Sequence, residues 1–201
     1  MQKQFILLFA IMFSISGIFA QNIKSIAIGT ALPSETVKLK DVSGEEITLK
    51  DAKKEKGLLV MFTCNTCPYV VKNQQRTKEI CNYAKNQGLG VVLVNSNAGS
   101  RDGGDSYEAM KEYAKNQGYE WNYVMDDGTT LADAFGAART PEVYVFDVNN
   151  KLVYKGAIDD NPGDAGAVKK QHLKSAIDAT LAGQDVSIKE SKSVGCSIKR
   201  S

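Results

Sequence analysis

Two cysteines, Cys64 and Cys67, stand three residues apart in the run Phe62-Thr63-Cys64-Asn65-Thr66-Cys67-Pro68-Tyr69-Val70. Sulfurs at that spacing can close and open a disulfide across one helical turn, which moves two electrons. The thiolate is the reacting form, so the pair needs a setting that makes one thiol acidic. The flanking residues predict such a setting. Leu58–Phe62 is a continuous apolar run that reads as a buried strand, and residues 68–86 read as a helix. The start of a helix carries unpaired N–H groups and a partial positive charge, both of which favour a thiolate. Pro68 suits the first helical turn, where its missing N–H costs nothing, and this puts Cys67 at or near the N-cap. Two assignments are open: Cys64 attacks and Cys67 resolves, or the reverse. A static structural bridge explains the motif less well, because so short a loop contributes little chain entropy.

The elements that must position this pair follow from the periodicity on either side. Residues 36–39 and 46–49 alternate polar and apolar around Ser43-Gly44 and predict a hairpin. Val91–Val94 predicts a second strand buried on both faces. Residues 95–105, rich in Gly, Ser, Asn and Asp, predict a loop. Residues 107–116 predict a helix stopped by Gly118, 121–125 a strand, and 131–135 a short helix ended by Gly136. Residues 143–146 and 151–154 predict a strand pair turning at Asn149-Asn150, and 165–182 a last long helix ended by Gly183. Residues 185–201 form a polar tail. Strands and helices that alternate in this way indicate an α/β sheet covered by helices on both faces, and the late hairpin makes the sheet mixed.

The chain has 201 residues, four cysteines, one histidine and a formal charge of +2. Its first twenty residues read as a secretory signal peptide: Lys3, an apolar core from Phe5 to Phe13, and small residues up to Ala20 before Gln21. The apolar core is short for a membrane span. Cleavage after Ala20 leaves 181 residues, enough for one domain over 21–184 plus the tail, with a charge of +1 once Lys3 is gone. Such a balance gives no reason to expect nucleic acid or an anionic membrane surface as a partner, and no membrane association after cleavage is expected. The expected location is therefore secreted or periplasmic, where disulfides persist. No cofactor motif is present. Asp126-Asp127-Gly128 and Asp159-Asp160-Asn161 lack the regular spacing of a calcium loop and read as turns and caps.

The element order, with Cys-x-x-Cys opening the first core helix, resembles the thioredoxin-like fold, and more closely its redoxin branch (the TlpA/ResA and AhpC/TSA groups). The resemblance covers nearly all of residues 27–182. It rests on Cys64-Asn65-Thr66-Cys67-Pro68-Tyr69 and on Arg139-Thr140-Pro141-Glu142-Val143-Tyr144-Val145-Phe146-Asp147, followed by Leu152-Val153-Tyr154-Lys155-Gly156. It implies an α/β mixed central sheet flanked by helices with an N-terminal β-hairpin extension. It also implies a cis proline, Pro141, beside the cysteines. Proline has no N–H, and the Thr140 backbone is then expected to pair with an incoming peptide or mixed disulfide. Aligning strands rather than cysteines puts Cys67 at the nucleophile position.

The implied activity is thiol–disulfide oxidoreduction on a protein disulfide, with a redox partner protein as electron donor. A second reading is a thiol peroxidase. Phe62-Thr63 before Cys67-Pro68 faintly resembles the peroxiredoxin Phe-Thr-x-x-Cys-Pro with one extra residue, and Arg139 falls near the arginine those enzymes place by the attacking thiol. The peroxiredoxin Pro-x-x-x-Thr-x-x-Cys motif is not matched. A third reading is a Cu(I) module of two thiolates and a histidine, for which soft ligands are suited. Here the cysteines lie one residue closer than in such proteins, and His172, the single histidine, falls in a helix among lysines.

Two cysteines remain. Cys81 lies fourteen residues beyond Cys67, roughly 20 Å along a helix. Cys196 lies in Val194-Gly195-Cys196-Ser197-Ile198-Lys199, an ending similar to the Gly-Cys-Ser-Ile-Lys tail of some relatives. Export and the rarity of leftover thiols there favour a structural Cys81–Cys196 disulfide that pins the tail to the first helix. The alternative is that Cys196 folds back as a third redox cysteine. Arg139 is a candidate for lowering a thiol pKa, and Glu142 is either a proton acceptor or a solvated residue at a strand start.

Overall fold

The computed structural model describes residues 24–200. Its core is the central strand β3 (Leu58–Thr63), buried along its whole length. It pairs in parallel with β4 (Gly90–Asn95) on one side and antiparallel with β7 (Glu142–Phe146) on the other. β5 (Asn122–Met125) continues the sheet in parallel beyond β4, and β8 (Leu152–Gly156) closes the far edge as the second arm of a hairpin with β7. The N-terminal hairpin, β1 (Leu39–Asp41) and β2 (Glu46–Ile47), joins the other edge antiparallel to β5. The seven-stranded order is β2-β1-β5-β4-β3-β7-β8, a mixed sheet as expected.

Strand alternation sends successive β3 side chains to opposite faces. Leu59 and Met61 pack on one side with Ile80, Cys81 and Ala84 of α2 (Pro68–Asn86), Met110 and Ala114 of α3 (Tyr107–Gln117), and Leu173, Ala176 and Ile177 of α5 (His172–Leu181). Leu58, Val60 and Phe62 pack on the other, with Leu49 and Ala52 of α1 (Leu49–Ala52) and with α4 (Thr130–Phe135). Aromatic rings fill this second layer edge to face. Phe135 lies 5.3 Å from Phe62, 5.2 Å from Tyr144 and 5.8 Å from Phe146.

Three expectations shift. The second arm of the N-terminal hairpin ends at Ile47 instead of Leu49, because the Thr48 hydroxyl accepts the Asp51 N–H (3.1 Å) and starts α1. The last helix begins at His172 instead of residue 165. Asp160 Oδ1 takes the N–H groups of Lys169 (2.9 Å) and Lys170 (3.0 Å), so only a single 3-10 turn forms at Ala165–Ala167. His172 therefore stands at a helix start and not mid-helix. The third shift concerns the tail, which is part of the packed structure. It runs along β8, with Lys155 N–H donating to Lys189 C=O (3.0 Å) and Ser191 N–H to Lys155 C=O (3.1 Å). It then returns as β9 (Cys196–Ser197), antiparallel to the short β6 (Arg139–Thr140). The expected signal peptide, residues 1–20, lies outside the described residues. Among the described residues, no helix is long and apolar enough to cross a membrane.

Candidate active site

The site lies where β3 and β4 end, the side of a parallel sheet on which ligands usually bind. β3 stops at Thr63, Cys64 to Thr66 bend the chain, and α2 starts at Pro68 with Cys67 as its N-cap. The Cys67 side chain makes no cap hydrogen bond, but as N-cap residue Cys67 stands beside the positive end of the helix, which favours a thiolate. Opposite stands Thr140, whose bond to Pro141 is cis. Its hydroxyl is 3.5 Å from Cys64 Sγ, and its carbonyl accepts from the Cys67 thiol at 3.3 Å. One residue thus touches both sulfurs. Pro68 and Pro141 lie where the sequence placed them, one opening the helix and the other following the residue that faces the pair.

The two thiols are biased in opposite directions. The Cys64 thiol hydrogen-bonds the Cys67 sulfur and holds Cys67 well below the ordinary thiol range, against the upward push of burial. The same hydrogen bond, then burial, raises Cys64 far above that range. The hydrogen bond from Cys64 thus favours the thiolate on Cys67 over one on Cys64.

The bend between them is held by a polar bracket that the sequence did not announce. Asp105, fully buried, accepts Asn65 N–H (2.8 Å) and the Thr66 hydroxyl (3.1 Å). It also accepts the side-chain amides of Asn95 (2.9 Å) and Asn97 (3.0 Å). Tyr123 OH donates to Asn65 Oδ1 (2.8 Å), and Asn65 Nδ2 donates to Gly104 C=O (2.8 Å). A Cβ at Gly104 would stand 2.5 Å from Thr66 Cγ2, so a side chain there would push Thr66 away from Asp105. Arg101 ties the loop together by donating to the carbonyls of Asn95 (2.6 Å), Asp105 (2.9 Å) and Asp126 (3.0 Å). Asp105 follows Gly103-Gly104 and precedes the Ser106 N-cap of α3, so in sequence it looks like an ordinary turn residue.

The remaining candidates are placed as follows. Arg139 points away from the sulfurs, is exposed, and donates to Ser197 Oγ (3.0 Å). Strand alternation separates it from its neighbour Thr140. Glu142 Oε2 accepts the N–H groups of Ala138 (2.8 Å) and Arg139 (3.0 Å), so it braces the loop before Pro141. Asp126 caps α4 through the N–H groups of Leu131 and Ala132 (2.9 Å each). The expected Cys81–Cys196 disulfide is not formed, and the two residues sit in different places. Cys81 is on the inward face of α2 with Thr77, Ile80 and Ala84, fully buried against the sheet, and burial raises its thiol pKa. Cys196 packs with Cys64, Cys67, Tyr69 and Val70. The Thr140 backbone, expected to await a substrate chain, is already paired with Cys196. Among the described residues, no group of three or more His, Cys, Asp or Glu is arranged to hold a metal ion.

The redoxin family model matches residues 27–172. The chain belongs to the redoxin family. Oxidoreduction is the class of chemistry that goes with this membership. The chain is 35% identical to a hypothetical protein from Sinorhizobium meliloti of known crystal structure; the match has a TM-score of 0.80 and covers 89% of this chain and 97% of that one. It is also similar to two curated proteins named thiol-disulfide oxidoreductase ResA. One, from Bacillus subtilis, is 26% identical over 130 residues, covering 65% of this chain and 67% of the relative. The other, from Halalkalibacterium halodurans, is 23% identical over 115 residues, covering 57% of this chain and 61% of the relative. The match thus spans only about three-fifths to two-thirds of the length of these curated relatives.

Proposed function

We propose that this redoxin is an exported thiol–disulfide oxidoreductase in which Cys67 attacks and Cys64 resolves. The observation that carries the reading is geometric: Cys67 is the N-cap of α2, Cys64 stands in the bend just before it, and both sulfurs contact Thr140. The Cys67 thiolate attacks one sulfur of a substrate disulfide and displaces a thiolate. Cys64 then gives up its proton and attacks Cys67 Sγ, and the second substrate sulfur leaves as a thiol. The pair loses two electrons and the substrate gains them; a reducing partner protein restores the dithiol. Asp105 and Tyr123 hold the bend so that the sulfurs keep their separation through the cycle. The names of the curated relatives agree with this activity. Export rests on the N-terminal pattern of Lys3, the apolar run and Ala20.

The peroxidase reading has less support, because Arg139 is engaged with the tail and turned from the thiols. Insulin reduction measured beside peroxide consumption tests the choice. Disulfide reduction abolished by Cys67→Ser and impaired by Cys64→Ser, with a thiol still reactive at low pH only in Cys64→Ser, is the expected result. Low-pH reactivity surviving in Cys67→Ser instead would reverse the roles, and efficient peroxide turnover without insulin reduction would refute the reading.

A further inference from the structure

Resting on the exchange chemistry proposed above, we propose that Cys196 is a third redox-active cysteine, able to resolve a mixed disulfide on Cys67 in place of Cys64. Cys196 lies directly across from Thr140 in the β6–β9 ladder, and Thr140 is the residue that touches both other sulfurs. Its side chain belongs to the same small cluster as Cys64 and Cys67. The tail therefore takes the backbone position next to Pro141 that was expected for an incoming chain, and presents a cysteine there.

This placement is fixed on both sides. Upstream, Ser191 Oγ accepts Ala157 N–H (2.9 Å) and bonds Tyr154 OH (2.6 Å). Downstream, Ile198 is buried in the core and its N–H donates to Ala138 C=O (3.1 Å). Lys199 N–H donates to Asn97 Oδ1 (3.0 Å), and Lys199 C=O accepts Gly99 N–H (3.0 Å). Arg200 donates to Asp133 (2.9 Å) and to Ala137 C=O (2.6 Å). Between these anchors Gly195 passes so close to the cis-proline loop that a Cβ would stand 2.1 Å from Thr140 C=O. A tail that only covered the core would not need such an approach. The Cys196 thiol is raised by burial and by the neighbouring Cys67 sulfur, and the second of these causes vanishes once Cys67 is bonded to a substrate.

The step balances without a further reagent. The Cys67 thiolate attacks a substrate disulfide and releases one substrate thiolate. Cys196 loses its proton and attacks Cys67 Sγ; the Cys67–Cys196 bond forms, the Cys67–substrate bond breaks, and the second substrate sulfur leaves with the electron pair and takes the proton. Two protein thiols are oxidised, one disulfide is reduced, and Cys64 remains a thiol. With the tail docked, both reactive sulfurs are almost inaccessible (Cys64 1% and Cys67 3% exposed). Substrate disulfides must therefore be small, or must displace the tail.

The test uses oxidised glutathione and non-reducing peptide mapping of the full chain. In Cys64→Ser the expected product is a Cys67–Cys196 disulfide with no glutathione retained. A glutathione adduct on Cys67 beside a reduced Cys196 overturns the proposal. The unaltered chain, oxidised partially and quenched in acid, is expected to yield some Cys67–Cys196 peptide beside Cys64–Cys67. Its absence at every time point would also overturn the proposal, whether or not the variant folds. Gly195→Ala displaces the tail and is expected to slow formation of the Cys67–Cys196 bond by roughly a hundredfold, the usual consequence of an ångström's misplacement. Cys196→Ser separates this idea from the reading beneath it. Failure of that variant to form Cys64–Cys67 sinks the thiol–disulfide assignment itself, whereas success there, with no Cys67–Cys196 elsewhere, sinks only the third cysteine.

Discussion

Replacing Asp105 by Asn exchanges one carboxylate oxygen for an NH2 group, and the cost can be worked out from the partners. Oδ1 accepts Asn65 N–H and the Asn95 amide; Oδ2 accepts the Thr66 hydroxyl and the Asn97 amide. The new NH2 has to replace one of these oxygens. At Oδ1 it would face a backbone N–H that cannot turn. It would also face an Asn95 amide locked by its own carbonyl, which accepts Asn97 N–H (3.1 Å) and Arg101 (3.0 Å). At Oδ2 the Thr66 hydroxyl can rotate and accept. The Asn97 amide cannot flip there, because its Oδ1 accepts Lys199 N–H. The second placement wins and leaves two buried donors facing each other, Asn97 Nδ2 and the second N–H of the new amide, at a cost of at least about 2 kcal/mol. For a chain of this size that lowers the melting temperature by about 4–8 °C. Asp105→Ala strands the other donors as well and should cost at least twice as much. Thermal unfolding of the two variants beside the parent checks the ordering. An Asn variant melting with the parent, or equal losses for Asn and Ala, would show that the bracket does not hold the redox bend as described.

Two further outcomes follow from the same geometry. Cys64→Ala removes the hydrogen bond that favours the Cys67 thiolate, so the pH midpoint for Cys67 alkylation should rise by about one unit or more. The folded-state pKa of Cys67 lies below its unfolded value. Its thiolate therefore stabilises the fold above the ordinary thiol range, and that stability is lost as pH falls through the folded pKa. In Cys64→Ala this loss should be smaller and be complete at a higher pH, as read from denaturation midpoints across a pH series; an unchanged alkylation midpoint would remove Cys64 as the cause. Phe135→Ala deletes the ring that meets Phe62, Tyr144 and Phe146, and should cost about 3–5 kcal/mol in urea unfolding. A cost near 1 kcal/mol would mean that the other rings close over the gap.

Much of the frame could be read from local pattern. Apolar runs without alternation marked β3 and β4, because parallel strands covered on both faces have no polar side. The Cys67-Pro68 step located the start of α2 to the residue, since proline tolerates only the first turn. What could not be read locally depends on chain segments meeting in space. Asp105 binds donors from the redox bend and from the end of β4, and nothing in Gly103-Gly104-Asp105 distinguishes it from a turn. Gly195 is required by an oxygen more than fifty residues away. A Cys81–Cys196 bond, expected from the number of cysteines, does not form because the face of α2 that carries Cys81 is the one the sheet needs for its core, so that sulfur lies under the helix while Cys196 packs with Cys64 and Cys67.

The sealing of Cys81 has an arithmetic consequence. Subtracting it leaves three sulfurs around one threonine, and three is odd. A single molecule can then never bond all of them to one another: however far oxidation proceeds, one sulfhydryl is left over. The identity of that remainder, read by a tag after quenching, states which bond the molecule was holding. It is also the atom through which two copies, or this chain and another, would become linked.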